Sequence, residues 1–228
     1  RLVLAGAGVV ALPDHQLAVF ANHIEIRNGA VLTHRWVMPG QTFSLLLTVA
    51  GTLTVDAASA IDVSGRGYPD GCTQGNTTDG GATGSSGGSY AGTGLAVNGT
   101  TNATYGGSLD PNEWGAGGGG ANGSAGAGGG QVRITAAAVV LDGAIRADGE
   151  AGVSGDWWAS GGGGAGGAIR LDVGVLSGDG AISAAGGAGA PARAGVPASG
   201  SGGGGRVAVY YSNTLAMPLA AFTAAGGT

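Results

Sequence analysis

Charge is scarce in this chain. Lys, Arg, Asp and Glu make up 10% of its 228 residues, and the formal net charge is −5. No basic surface is available to neutralise a phosphate backbone, so nucleic acid is excluded as a partner. Aromatic residues reach only 5%. No apolar run approaches the ~20 residues of a membrane-spanning helix, and membrane insertion is not expected. Cysteine occurs once, at Cys72, which excludes an internal disulfide and a Cys-x-x-Cys metal pair. Histidine is confined to His15, His23 and His34, without His-Glu-x-x-His or other i, i+4 pairing. A metal site, a cofactor and a Ser/His triad therefore have no support. The sequence begins at Arg1 with neither a charged n-region nor an apolar h-region, and reads as a mature or excised piece.

Glycine is what the chain has instead, 53 residues of it. Glycine loses more conformational entropy on ordering than any other residue, so runs such as "GGGGAGG" (161–167) need a geometric reason. Ordinary disorder pairs low hydrophobicity with high net charge, and collagen needs a strict Gly-X-Y register; neither applies.

The chain repeats itself. Gly130 is followed by "QVRITAAAVVLDGAIRADGEAG", Gly167 by "AIRLDVGVLSGDGAISAAGGAG" and Gly205 by "RVAVYYSNTLAMPLAAFTAAGG", at separations of 37 and 38 residues. A less regular copy spans 48–67, and "HIEIRNGAVLTHRW" at 23–36 is a degenerate fifth. Each copy reads as a strand, a tight turn, a second strand and a glycine exit. Val132 and Ile134 alternate with Arg133 and Thr135, the period of a half-buried strand, and the Asp-Gly pairs at 142–143 and 179–180 suit tight turns. Units this small cannot bury an apolar face alone, whereas stacked neighbours share one core. The expected fold is all-β with almost no helix: a parallel β-solenoid spanning 43–228, with residues 1–42 as a strand-rich assembly or capping element. Its glycine segments either pack backbone on backbone, as in polyglycine II, or remain loose loops.

Residues 66–130 form a long insertion, and a structureless loop of that length calls for a function. It holds four Asn-x-Ser/Thr sequons, at Asn76, Asn98, Asn102 and Asn122, the candidate glycosylation sites. Turn-rich composition alone also raises the frequency of this motif. Tyr68, Tyr90, Tyr105, Trp114, Trp157 and Trp158 all lie in the glycine-rich excursions. Of these, Trp157, Trp158, Trp114 and Tyr105 are the candidate carbohydrate or partner contacts; the alternative is that the rings cover the glycine bed.

Catalytic chemistry has little to stand on. Asp148, Glu150, Asp156 and Asp172 are the carboxylates a glycosidase-like site would draw on, but no spacing pairs two of them across one bond. The glycine runs precede strands rather than helices and lack a Gly-Lys-Ser/Thr ending, so they are not phosphate loops. The calcium-binding nonapeptide register is absent, and "TLT" at 52–54 is an unrepeated triplet, too little for an ice-binding array.

The segments "SAIDVSGRGYPDG", "GGGQVRITAAAVVLDGAIRADG", "GGAIRLDVGVLSGDGAISAAGG" and "GGGGRVAVYYS" resemble the glycine-rich β-helix repeats of large secreted or surface-displayed microbial proteins, adhesins among them. The resemblance covers roughly residues 43–228. The glycine runs alone are similar, more loosely, to polyglycine-sandwich adhesins of phage tail tips. The resemblance implies a scaffold and an extracellular or cell-surface location.

The last copy stops at "AAGGT", where earlier copies hand over to the next strand, and "RLVLAGAGVVAL" is strand-like from Arg1 onward. Uncapped repeat edges are sticky. A head-to-tail homopolymer is therefore expected, the competing explanation being a module cut from a longer polypeptide. The leading expectation is a non-enzymatic extracellular structural protein that builds a fibril or surface layer and carries glycans. A carbohydrate-binding adhesin is the alternative, and a carbohydrate-active enzyme comes third.

Overall fold

The computed structural model of the chain describes residues 1–12, 18–38, 40–120, 124–154 and 160–228. Strands come mostly in pairs along the chain: β1 (Leu2–Ala5) and β2 (Gly8–Leu12), β3 (Val19–Ala21), β4 (Ile24–Arg27) and β5 (Ala30–His34), β6 (Leu45–Val55) and β7 (Ala60–Asp62). Three more pairs follow: β8 (Gln131–Leu141) and β9 (Ala144–Arg146), β10 (Ala168–Ser177) and β11 (Ala181–Ser183), β12 (Arg206–Leu215) and β13 (Phe222–Thr223). The first member of each pair joins one sheet, ordered β1-β4-β6-β8-β10-β12 with β3 also on β6; the second joins another, ordered β13-β11-β9-β7-β5-β2. Every pairing between named strands is parallel.

The repeat read from the sequence is the row of these sheets. Leu45, Val132, Ile169 and Val207 lie side by side in the first sheet, and Ile61, Ile145, Ile182 and Phe222 in the second. Alternation does what the period predicts: Val132 and Ile134 are buried, while Arg133 and Thr135 face outward. The inward aliphatics of both sheets, Ile24, Ile26 and Leu32 included, form one core. Residues 1–34 thus supply strands and core side chains to the same two sheets as the later copies.

The β-solenoid expectation is corrected. The strands form two flat parallel sheets stacked on each other, not the turns of a solenoid. Each of the three regular copies supplies a long strand to one sheet and a short strand to the other, then leaves through glycine segments in which no β-strand is assigned among the described residues. Those segments bond to one another in a layer of their own.

The segment 161–167 shows how that layer is built. Gly161, Gly164 and Gly167 donate to the carbonyls of Val153, Glu150 and Ala147; Gly162 and Ala165 donate to Gly119 and Ala116; Gly163 and Gly166 donate to Gly200 and Gly203, all between 2.7 and 3.1 Å. Its carbonyls accept from Gly126 and Gly129, from Ala190 and Gly187, and from Gly88. Successive residues thus turn to different neighbours with a period of three, the period of an extended polyproline II-type chain. Such close packing leaves no room for a side chain: a Cβ on Gly162 would lie 2.0 Å from the carbonyl oxygen of Ser86.

Candidate functional site

The sheet ends are the first candidate. At one end, Leu2 and Val3 of β1 and Val9 and Val10 of β2 are 37 to 65% exposed; at the other, Tyr210 and Tyr211 of β12 and Leu219 are 41 to 81% exposed. Residues of the terminal rows continue the core columns. Leu2, Ile24, Leu53, Val139, Leu176 and Leu215 form one column, and Val10, Leu32, Ile61, Ile145, Ile182 and Phe222 another. Inner rows bury these positions completely or nearly so, whereas the outermost members are partly uncovered.

The insertion is the second. Part of it straps the outer face of the first sheet: Asp110 pairs with Arg133 at 2.5 Å and with Arg170 at 2.8 Å, and the Tyr210 hydroxyl donates to the Leu109 carbonyl at 2.5 Å. Arg206 donates to the Tyr105 carbonyl at 2.7 Å and lies over the Tyr90 ring. Behind this strap Tyr68, Tyr90, Tyr105 and Trp114 form an aromatic cluster, with neighbouring centroids 5.0 to 6.5 Å apart. Burial pushes the Tyr90 hydroxyl up to about 12 and holds those of Tyr68 and Tyr105 well above their ordinary range.

Trp114 is therefore corrected as a contact candidate. Its ring is buried, and its Nε1 donates to the Phe43 carbonyl at 2.7 Å. Tyr105 is spent in the same cluster, its hydroxyl donating to the Trp114 carbonyl at 2.6 Å. Trp157 and Trp158 lie outside the described residues. The exposed tryptophan that the sequence reading passed over is Trp36, just after β5, with the Arg66 guanidinium 3.7 Å from its ring centroid.

The sequons separate sharply. Asn102 is buried, with Nδ2 donating to the carbonyls of Ser89 and Ala103 at 2.9 and 2.8 Å and Oδ1 accepting from the Ser89 N–H at 2.7 Å. Asn76 is half-buried and donates to the Met38 carbonyl at 2.7 Å. Asn98 is exposed, at φ +50° in a turn, and its amide makes no hydrogen bond among the described residues. Asn122 lies outside them.

Of the carboxylates considered for catalysis, Asp148 and Asp172 have separate structural roles. Asp148 accepts from the Ser183 hydroxyl and the Ala185 N–H, and Asp172 takes a two-pronged ion pair from Arg170 at 2.7 and 2.9 Å. Glu150 lies against Gly65, and Asp156 is outside the described residues. His34 is buried where the sheets meet the glycine layer, while the exposed His23 accepts from the Thr52 N–H at 3.2 Å; His15 is not among the described residues. Among the described residues no three His, Cys, Asp or Glu side chains gather as a metal site would require. Comparison with protein-family models, curated proteins and solved structures finds no match to this chain.

Proposed function

We propose that this chain is an extracellular structural protein that assembles head to tail into a fibril or surface layer and carries N-linked glycans on its long insertion. The observation that carries the reading is the pair of uncovered sheet ends. In a wholly parallel stack the edge of β12 and the edge of β1 are complementary, so a second copy translated along the stack sets its β1 beside β12 and its β2 beside β13. Leu215 would then meet Leu2, and Phe222 would meet Val10, continuing both core columns. A heterologous contact of this kind does not close, and its product is a filament. The glycine-rich repeats, similar to those of secreted and surface-displayed microbial scaffolds, and the sequons on the insertion support the extracellular assignment.

Electron microscopy of the native protein at neutral pH tests the reading. Six rows in the first sheet, at about 4.8 Å each, give an expected axial repeat of about 29 Å per protomer. Monodisperse particles at every concentration would overturn it.

A further inference from the structure

Trp36 is 63% exposed, a large apolar surface to leave in water at a loop position. Its surroundings are ordered. The turn Val63–Arg66 is closed by the Arg66 N–H donating to the Val63 carbonyl at 3.1 Å, with Gly65 at φ +63°, and the Gly65 N–H anchors it to the Asp148 carbonyl at 2.9 Å. That turn delivers the Arg66 guanidinium onto one face of the Trp36 ring. Ser64, Gly65 and Glu150 complete the wall of a surface cavity of about 260 Å³ that Trp36 and Arg66 open.

Hydrogen-bonding capacity here is unspent. Among the described residues the Arg66 side chain makes no ion pair and no hydrogen bond, although Asp62 and Glu150 lie near enough to act on its charge. Arg1, Arg133, Arg146 and Arg170, by contrast, are all in ion pairs. Among the described residues the Glu150 carboxylate has one long hydrogen bond, from the Ala127 N–H at 3.4 Å, and the side chain is exposed. The cavity therefore offers an aromatic surface, a set of spare donors and a spare acceptor within one small space.

We infer that this cavity binds a neutral pyranose sugar, its C–H face against the open surface of Trp36 and its neighbouring hydroxyls shared between Arg66 and Glu150. An indole attracts polarised C–H groups through its negative face, and a sugar hydroxyl both donates and accepts, which matches a guanidinium beside a carboxylate. The opposite charges of Arg66 and Glu150 offset each other. A uronic acid would meet repulsion from Glu150 that offsets its attraction to Arg66, and an amino sugar the reverse, so a charged ring gains no net Coulomb attraction against the cost of desolvating its charge, and the neutral ring is favoured. A single site of this size binds weakly, on the order of millimolar, and repetition along an assembly would raise the avidity without any new contact.

Saturation-transfer NMR and titration of the native protein with methyl glycosides of glucose, galactose and mannose, and with glucuronate, test the site. The expected result is binding of at least one neutral glycoside, more tightly than glucuronate. Trp36→Ala should weaken it about tenfold and Glu150→Gln severalfold, with thermal melts unchanged because both side chains are exposed. Should Trp36→Ala disturb folding, Glu150→Gln alone decides. The inference is overturned if no neutral glycoside binds at tens of millimolar, if glucuronate binds more tightly, or if the folded variants bind as the parent does.

Discussion

The Nε2 of His34 accepts the backbone N–H of Gln131 at 3.3 Å, joining β5 to the start of β8, while its Nδ1 lies 2.7 Å from the Arg35 carbonyl and donates to it. Only the neutral ring can do both. Burial, opposed in part by the Arg35 carbonyl, pulls the imidazole from 6.5 down to about 4. The folded state thus binds this proton later than the unfolded chain does, so its stabilising contribution is complete above pH 6.5 and is lost as the pH falls toward 4. The window corresponds to a loss on the order of 3 kcal/mol. Thermal melts at pH 7.5, 5.5 and 4.5 should show a falling Tm, and His34→Gln should flatten that stretch of the curve. A parent Tm that is constant between pH 6.5 and 4 would contradict this account.

The glycine layer makes a sharper demand. A Cβ at Gly162 would lie 2.0 Å from a backbone oxygen, and backbone held by neighbours on several sides cannot give way as a side-chain tip does. Gly162→Ala should therefore cost several kcal/mol, enough to unfold the chain or abolish soluble expression. At Gly8, on an exposed strand, an added Cβ meets nothing within 4 Å, and Gly8→Ala should leave the Tm within a degree or two. Equal effects of the two substitutions, read by thermal denaturation, would show that the layer is not close-packed.

The same tripeptide motif has two fates in one insertion. At Asn102 both amide hydrogens and the carbonyl are bound to backbone, so a glycan there is incompatible with the fold; at Asn98 the exposed amide makes no hydrogen bond among the described residues. Glycopeptide mapping of native material should find Asn98 modified and Asn102 bare. Asn102→Ala should destabilise by about 1–3 kcal/mol, because it strands the buried Ser89 N–H and C=O. A glycan on Asn102, or none on Asn98, would refute this sorting.

How much of this was legible beforehand follows from the range of each interaction. The rows were, because Val132, Ile169 and Val207 recur at nearly equal intervals and period-two alternation is a local property of each strand. The way the copies close was not, since glycine carries no side chain to mark its neighbour. Gly162 sits between Gly119 and Gly126, and nothing in the intervening residues announces it. Hence a solenoid was expected where two stacked sheets and a separate glycine layer stand. The aromatic platform is expected in the glycine-rich excursions for a related reason: Trp114 and Trp36 are equally bare in sequence, and only the Phe43 carbonyl above one and the Arg66 turn beneath the other distinguish them. Asn98 and Asn102 differ in the same way.

The assembly reading can be tested at one hydrogen bond. In β1 the N–H groups of Leu2 and of Gly6, just beyond it, donate inward to the carbonyls of His23 and Arg27, at 2.9 and 3.2 Å. Because successive N–H groups in a strand alternate sides, those of Val3 and Ala5 point away from β4, toward whatever lies beyond the edge. Proline at position 3 would remove an outward donor while leaving the inward ladder intact, and edge strands tolerate proline for that reason. Val3→Pro should leave the far-ultraviolet circular dichroism and the Tm of the dispersed protomer close to those of the parent, yet suppress filaments in electron micrographs and in sedimentation. Leu2→Ala makes the useful contrast: it trims a core column at the same edge but keeps every backbone donor, so it should weaken filaments and lower their melting temperature without abolishing them. Filaments that form equally well with Val3→Pro would mean that β1 does not pair with a neighbour, and the contact between copies would have to be sought on the outer faces of the sheets instead.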